Sequence, residues 1–146
     1  MLKTITTFIV AVACLVAAPT LAMAGEDGSE INVTEQVLNH HLQSFGEGNV
    51  DAILSDYTDS SVVIIPNGVL NGREQIRGLF EALVAEFGQA GTEFELTSSM
   101  VEGPLAYITW HAVTADNTYS FATDTFVVTD GKIAYQTVAF VVSPRD

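Results

Sequence analysis

The spacing of hydrophobic residues changes several times along this chain, and each change marks a different kind of element. Residues 5–18 form an almost unbroken apolar run behind a short positive start at Lys3. From residue 33 the spacing becomes helical: Val37, Leu38, His41, Leu42 and Phe45 occupy one face of a 3.6-residue repeat. Thr34 is placed to cap this helix, with Glu35 in its first turn. Gly46 and Gly48 stop it, and Asn49 caps a second, shorter helix whose apolar stripe is Val50, Ile53, Leu54 and Tyr57. Residues 61–65 are a β-branched run closed by Pro66-Asn67-Gly68, which predicts a short buried strand ending in a turn. A third helix carries Ile76, Leu79, Phe80, Leu83, Val84 and Phe87 on one side until Gly88 and Gly91 end it. Beyond it the period falls to two, over residues 94–102, 105–115, 119–128 and 133–142. Gly103-Pro104, Asp116-Asn117 and Asp130-Gly131 separate these strands, so they form an antiparallel meander.

Three helices ahead of a curved, mainly antiparallel sheet define an α+β domain, in which the sheet wraps over the helices and encloses a pocket. The expected organisation is a signal peptide over residues 1–24, a polar, glycine-rich flexible leader over 25–32, the domain over 33–142 and a short tail over 143–146. About 122 residues outside the first segment suffice for one core and not for two domains.

The chain of 146 residues is 48% hydrophobic, and residues 1–24 hold most of the excess. The apolar run stops at Pro19, short of the roughly 20 residues that cross a bilayer, and Ala22-Met23-Ala24 offers the small-x-small pattern of a cleavage site after Ala24. The mature protein is therefore expected to be periplasmic or secreted, with no membrane association after cleavage. Cleavage removes Cys14, the one cysteine, and with it any disulfide, thiolate nucleophile or cysteine metal site. Setting Lys3 aside, 18 acidic residues stand against 4 basic ones, a net charge of −14 that disfavours nucleic acid as a partner.

Chemistry is concentrated in the last three strands. If the hairpin turn centres on Asp116-Asn117, Thr109 faces Asp124, His111 faces Ala122 and Tyr107 faces Phe126. The opposite face of the hairpin then carries Ile108, Trp110, Tyr119 and Phe121. A three-residue turn would shift the register by one and undo this pairing.

Gly46-Glu47-Gly48-Asn49 lies between the first helices, Asn71-Gly72-Arg73-Glu74-Gln75-Ile76 opens the third, and Asp124-Thr125-Phe126-Val127-Val128-Thr129-Asp130-Gly131-Lys132-Ile133 spans the last hairpin. In this order and spacing the chain resembles the SnoaL-like branch of the nuclear transport factor 2-like superfamily over about residues 33–142. The resemblance implies a cone-shaped fold, often dimeric, with a pocket between sheet and helices. It implies no single activity, because members include steroid isomerases, polyketide cyclases, epoxide hydrolases, dehydratases and non-catalytic domains.

It also implies that the acidic residue of the Asp-x-Phe pattern, Asp124, looks into the pocket. The inner face would then hold Tyr107, Thr109, His111 and Phe126, with His111 and Asp124 as diagonal neighbours and a possible acid–base pair. His41, Tyr57, Gln136 and Phe140 complete the expected ligand-binding set. Alternatively, Asp124 stays protonated and donates to a developing oxyanion. Asp124 matches the oxyanion acid of ketosteroid isomerases, and His41 lies near their oxyanion tyrosine. Their base position holds Ile65 here, so that route of steroid isomerisation is not expected.

The leading expectation is an exported domain that binds a small, largely apolar molecule. One competitor is a cofactor-independent isomerase, cyclase or hydrolase using His111 and Asp124, and another is a non-catalytic dimeric interaction module. Each candidate also has a structural reading: His41 as a hydrogen-bonded core residue, Asp124 as a carboxylate satisfying a neighbouring donor, Arg73 as the partner of a loop or acidic side chain. No metal site is expected, since His40 and His41 are adjacent and point apart. A homodimer is expected through the outer sheet face, assigned to Ile108, Trp110, Tyr119 and Phe121.

Overall fold

The computed structural model describes residues 32–145. The expected signal peptide, Cys14, nearly all of the expected leader and Asp146 lie outside the described residues.

Helix α1 (Val33–Gly46) is capped by Asn32, whose side chain accepts from the Thr34 amide at 2.9 Å. Thr34 does not cap; it is buried, and its hydroxyl donates at 2.8 Å to the Gly103 carbonyl, tying the helix start to the sheet. Asn49 caps α2 (Val50–Ser55) as its spacing predicts, accepting from the Ala52 amide. The helix is shorter than its apolar stripe suggests: it ends at Ser55, and Tyr57 opens strand β1 (Tyr57–Ile65).

The turn at Pro66-Asn67 leads back into a four-residue strand, β2 (Gly68–Asn71), that the hydrophobic pattern does not announce. Helix α3 (Gly72–Phe87) starts directly behind it. Gly72 has φ 75°, and a β-carbon there would sit 2.9 Å from the Asp59 carbonyl oxygen, so this hairpin-to-helix joint requires glycine. The meander follows as β3 (Glu93–Glu102), β4 (Leu105–Val113), β5 (Asn117–Thr129) and β6 (Lys132–Pro144).

The six strands form one curved, unclosed mixed sheet in the order β2-β1-β6-β5-β4-β3, with β1 parallel to β6 and every other pair antiparallel. The three helices pack on its concave side. Ile53, Val63, Ile76, Phe80, Ile108 and Ile133 form the centre of the core between the layers. Burying side chains of this size is the main stabilising term of such a domain.

The β4–β5 register departs from the expected one for two reasons. The turn closes around Ala115-Asp116, where the Thr114 amide donates to the Asn117 carbonyl at 2.8 Å and the Asn117 amide donates to the Thr114 hydroxyl at 3.0 Å. That displacement alone would preserve which residues share a face. A bulge then places Ser120 and Phe121 opposite the single residue His111, between the pairs Ala112–Tyr119 and Trp110–Ala122. The extra residue changes the parity of the ladder, so Ile108, Trp110 and Tyr119 turn inward together with Ala122, Asp124 and Phe126. Tyr107, Thr109 and His111 turn outward.

Candidate functional site

A cavity of about 170 Å³ lies between α1, α3 and the concave side of the sheet. Leu42 and Phe45 of α1, Leu83 and Phe87 of α3, and Val138 and Phe140 of β6 supply apolar wall. This is the scale of the engineered apolar cavity of about 150 Å³ that takes up benzene. Few polar side chains border it, and Asp124, Gln136 and His41 are the ones set among apolar neighbours at its buried side.

Asp124 is buried at 7% exposure, and both of its oxygens are held. Trp110 Nε1 donates to Oδ2 at 2.8 Å, and Gln136 Nε2 donates to Oδ1 at 2.8 Å. Both donors are diagonal neighbours on the flanking strands: Asp124 stands opposite Ile108 and Val138, while Trp110 faces Ala122 and Gln136 faces Phe126. Behind Gln136, the Tyr57 hydroxyl donates to Oε1. This fixes the Gln136 amide with its NH₂ toward Asp124. Desolvation lifts the Asp124 carboxyl above the usual carboxylate range. The bonds from Trp110 and Gln136 and the charge of His41 counter that rise without cancelling it. Burial, followed by the charges of Asp124 and Asp56, pushes the Tyr57 hydroxyl well above its ordinary value, which keeps it a donor.

His41 projects from the inner face of α1 with its ring edge-on to Tyr57, Phe80 and Phe126, at centroid distances of 5.7, 5.4 and 5.4 Å. Its Nδ1 lies 3.4 Å from Asp56 Oδ2. Tyr119 also borders the cavity, but its hydroxyl is directed to both Glu86 oxygens at 3.0 Å. Burial and that carboxylate push its pKa up to about 12.

The structure therefore brings together Asp124, His41, Gln136, Phe126 and Phe140 of the expected residues, with Tyr57 in the layer behind. Tyr107, Thr109 and His111 are corrected to the outer face by the bulge. His111 is 47% exposed and places Nε2 3.1 Å from Glu95 Oε2, and Thr109 shares a 2.7 Å hydroxyl contact with Thr97. The expected pairing of His111 with Asp124 does not form. The dimer-face assignment is corrected likewise: Ile108, Trp110 and Tyr119 line the cavity, and only Phe121 of that set is exposed on the outer face, at 49%. Arg73 does pair with an acidic side chain, making two bonds to Asp59 at 2.8 and 3.2 Å.

Trp110, which holds Asp124, and Asp56, which approaches His41, were not anticipated. Trp110 could have been suspected from its need for a partner at the indole N–H once buried. Asp56 follows a helix among other polar residues and carries no such signal. Among the described residues, no cluster of three or more His, Cys, Asp or Glu side chains could hold a metal ion, and no helix is long and apolar enough to cross a membrane.

Comparison with known proteins agrees with this geometry. An NTF2-like protein of unknown function from Mesorhizobium loti superposes with a TM-score of 0.64 at 23% identity, over 75% of this chain and 91% of that one. An epoxide hydrolase/cyclase-like enzyme that acts in pyran ring formation in polyether salinomycin gives a TM-score of 0.64 at 20% identity, over 77% and 95%. A proposed ketosteroid isomerase from Kribbella flavida DSM 17836 gives 0.63 at 12% identity, over 75% and 78%. At these identities the likeness concerns the fold. No curated protein matches the sequence. The model of the SnoaL-like domain matches residues 38–136, from α1 to the Gln136 that bonds Asp124, and the chain belongs to that family.

Proposed function

We propose that this domain binds a small, largely apolar molecule in its cavity, with one polar group of that molecule directed at Asp124 and His41. The supporting observation is the cavity itself: walls of Leu, Val and Phe around one buried carboxylate whose donors are supplied by the protein. The test is a calorimetric titration with 1-naphthol, an apolar bicycle bearing one hydroxyl. Saturable one-site binding that disappears in Val138→Trp, which fills the cavity, agrees with the reading; equal binding by both proteins refutes it.

A second reading, cofactor-independent acid–base chemistry of the isomerase, cyclase or hydrolase kind, has its own support. Asp124 is held above the usual carboxylate range and borders the same cavity as His41, so two groups suited to exchanging protons with a bound molecule line one space. In this reading His41 takes the partner role that the sequence assigned to His111. Deuterium exchange at the α-carbon of 2-tetralone in deuterium oxide, read by NMR, tests it: exchange above the buffer rate that is lost in Asp124→Asn is expected, and exchange at the buffer rate defeats it.

Two further features belong to the same proposal. Phe121, Tyr135, Val141 and Ile64 are exposed on the convex side of the sheet, which favours a homodimer through that face. The character of residues 1–24 favours export, so the domain would act in the periplasm or as a secreted protein. N-terminal sequencing of protein recovered from an exporting host should begin at Gly25.

A further inference from the structure

A cluster behind the cavity goes unused by a binding role. His40 and His41, consecutive on α1, converge on one carboxylate: His40 Nδ1 lies 2.7 Å from Asp56 Oδ1, and His41 Nδ1 lies 3.4 Å from Asp56 Oδ2. Asp56 itself is fixed by the junction between α2 and β1. Its amide donates to the Ile53 carbonyl at 3.1 Å, and its carbonyl accepts from the Ile133 amide at 2.7 Å. The carboxylate is thus anchored through the sheet as well as the helix.

His41 Nδ1 and Asp56 Oδ2 are both sealed from water and have no other partner among the described residues. A proton on Nδ1 satisfies both atoms with one weak, charge-assisted contact. A proton on Nε2 would instead turn a lone pair toward a carboxylate oxygen, setting two acceptors against each other where little solvent screens them. The first arrangement leaves Nε2 as the ring's proton acceptor, on the side of a residue that borders the cavity.

Resting on the acid–base reading above, we infer that Asp56 is the positioning residue of this site. It holds His41 in the Nδ1–H tautomer, so that Nε2 faces the cavity as the proton acceptor, and His40 orients the carboxylate from the solvent side. When Nε2 takes a proton from a bound molecule, the imidazolium keeps its Nδ1–H on Asp56, whose negative charge balances the positive ring. In an isomerisation the proton on Nε2 is returned to another atom of that molecule; in deuterium oxide it is first replaced by a solvent deuteron, which Nε2 returns to the carbon, so that water is the one further reactant in the exchange assay. His40 is half exposed and tops the arrangement, and Asp124 borders the same cavity as the second exchanging group.

The experiment is long-range ¹H–¹⁵N correlation NMR on the mature protein at about pH 8, above the ordinary imidazole range. The wild type should show His41 with a protonated Nδ1 and a bare Nε2. In Asp56→Asn, the side-chain amide can donate to Nδ1 while its oxygen still serves His40, and His41 should switch to the Nε2–H form. The same variant should lower 2-tetralone exchange by about 10²-fold or more, the scale of general acid–base assistance. Its affinity for 1-naphthol should change by less than about tenfold, the scale of one hydrogen bond. A wild type carrying its proton on Nε2, or a folded Asp56→Asn with an unchanged tautomer, overturns the inference. The wild-type spectrum decides even if the variant fails to fold. Absence of exchange in the wild type would remove the acid–base reading and this inference together, whereas a wrong tautomer in a protein that does exchange removes the inference alone.

Discussion

Trp110 Nε1 reaches Asp124 Oδ2 at 2.8 Å across the β4–β5 ladder, and that bond depends on which side of the hairpin meets the helices. The indole contributes a donor that desolvation makes valuable, and it opposes the upward shift of the carboxyl. Trp110→Phe keeps most of the packing and removes the donor. The Asp124 pKa should then rise further, as read by ¹³C-detected carboxyl titration; an unchanged or lower value would mean the bond has no part in holding the ionised form.

The raised Asp124 pKa has a definite consequence for stability. A carboxyl whose folded-state pKa exceeds its unfolded value of about 3.9 favours the folded state below that value. This contribution is lost as pH rises through the folded pKa. Measured by urea unfolding, the stability of the wild type relative to Asp124→Asn should therefore be highest in acid and decline on the way to neutrality. A relative gain toward neutral pH would reverse the sign and disprove the shift.

Tyr57 anchors Gln136, and through it one oxygen of Asp124. Tyr57→Phe leaves the ring in place and strips the donor from a buried amide oxygen, which should cost about 1–3 kcal/mol. Urea unfolding with an unchanged m-value is the appropriate check, and a neutral substitution would show that the hydroxyl bond contributes nothing net.

His111 supplies a negative control. Its pair with Glu95 is exposed on both sides, and such pairs contribute about 0–1 kcal/mol. His111→Ala should bind 1-naphthol as the wild type does, with stability within about 0.5 kcal/mol. A large loss of binding would place His111 back in the cavity and refute the register described above.

On the convex face, Val141→Glu puts a charge among Phe121 and its exposed apolar neighbours without touching the cavity wall. Sedimentation should show a dimer for the wild type and a monomer for the variant. An undisturbed dimer would locate the interface elsewhere.

Much of the fold was legible because it depends on short-range rules. Helical spacing identified all three helices, Asn49 capped as expected, and Asp130-Gly131 marked a tight turn with both residues at positive φ. Strand β2 was hidden, since four residues after a turn leave too little alternation to detect. The site was legible only in part. His41, Asp124, Phe126, Gln136 and Phe140 do line the cavity, His41 by its helix face and the strand residues by alternation once the resemblance had implied that Asp124 looks inward. Trp110, one of the two partners of Asp124, was missed because a single bulge opposite His111 reverses that parity for everything beyond it, and alternation alone does not reveal where a strand carries an extra residue. Asp56 was missed for a different reason: its role depends on two histidines that only folding brings to it.

What the cavity holds, and which groups meet it, is tested most directly by a crystal structure of residues 25–146 with 1-naphthol. The ring should lie among Leu42, Phe87, Val138 and Phe140, with the hydroxyl oxygen within about 3 Å of an Asp124 carboxylate oxygen or His41 Nε2. Naphthol bound only on the convex sheet face, or lying in the cavity with its hydroxyl turned away from both groups, would show that this is not a site built around Asp124 and His41.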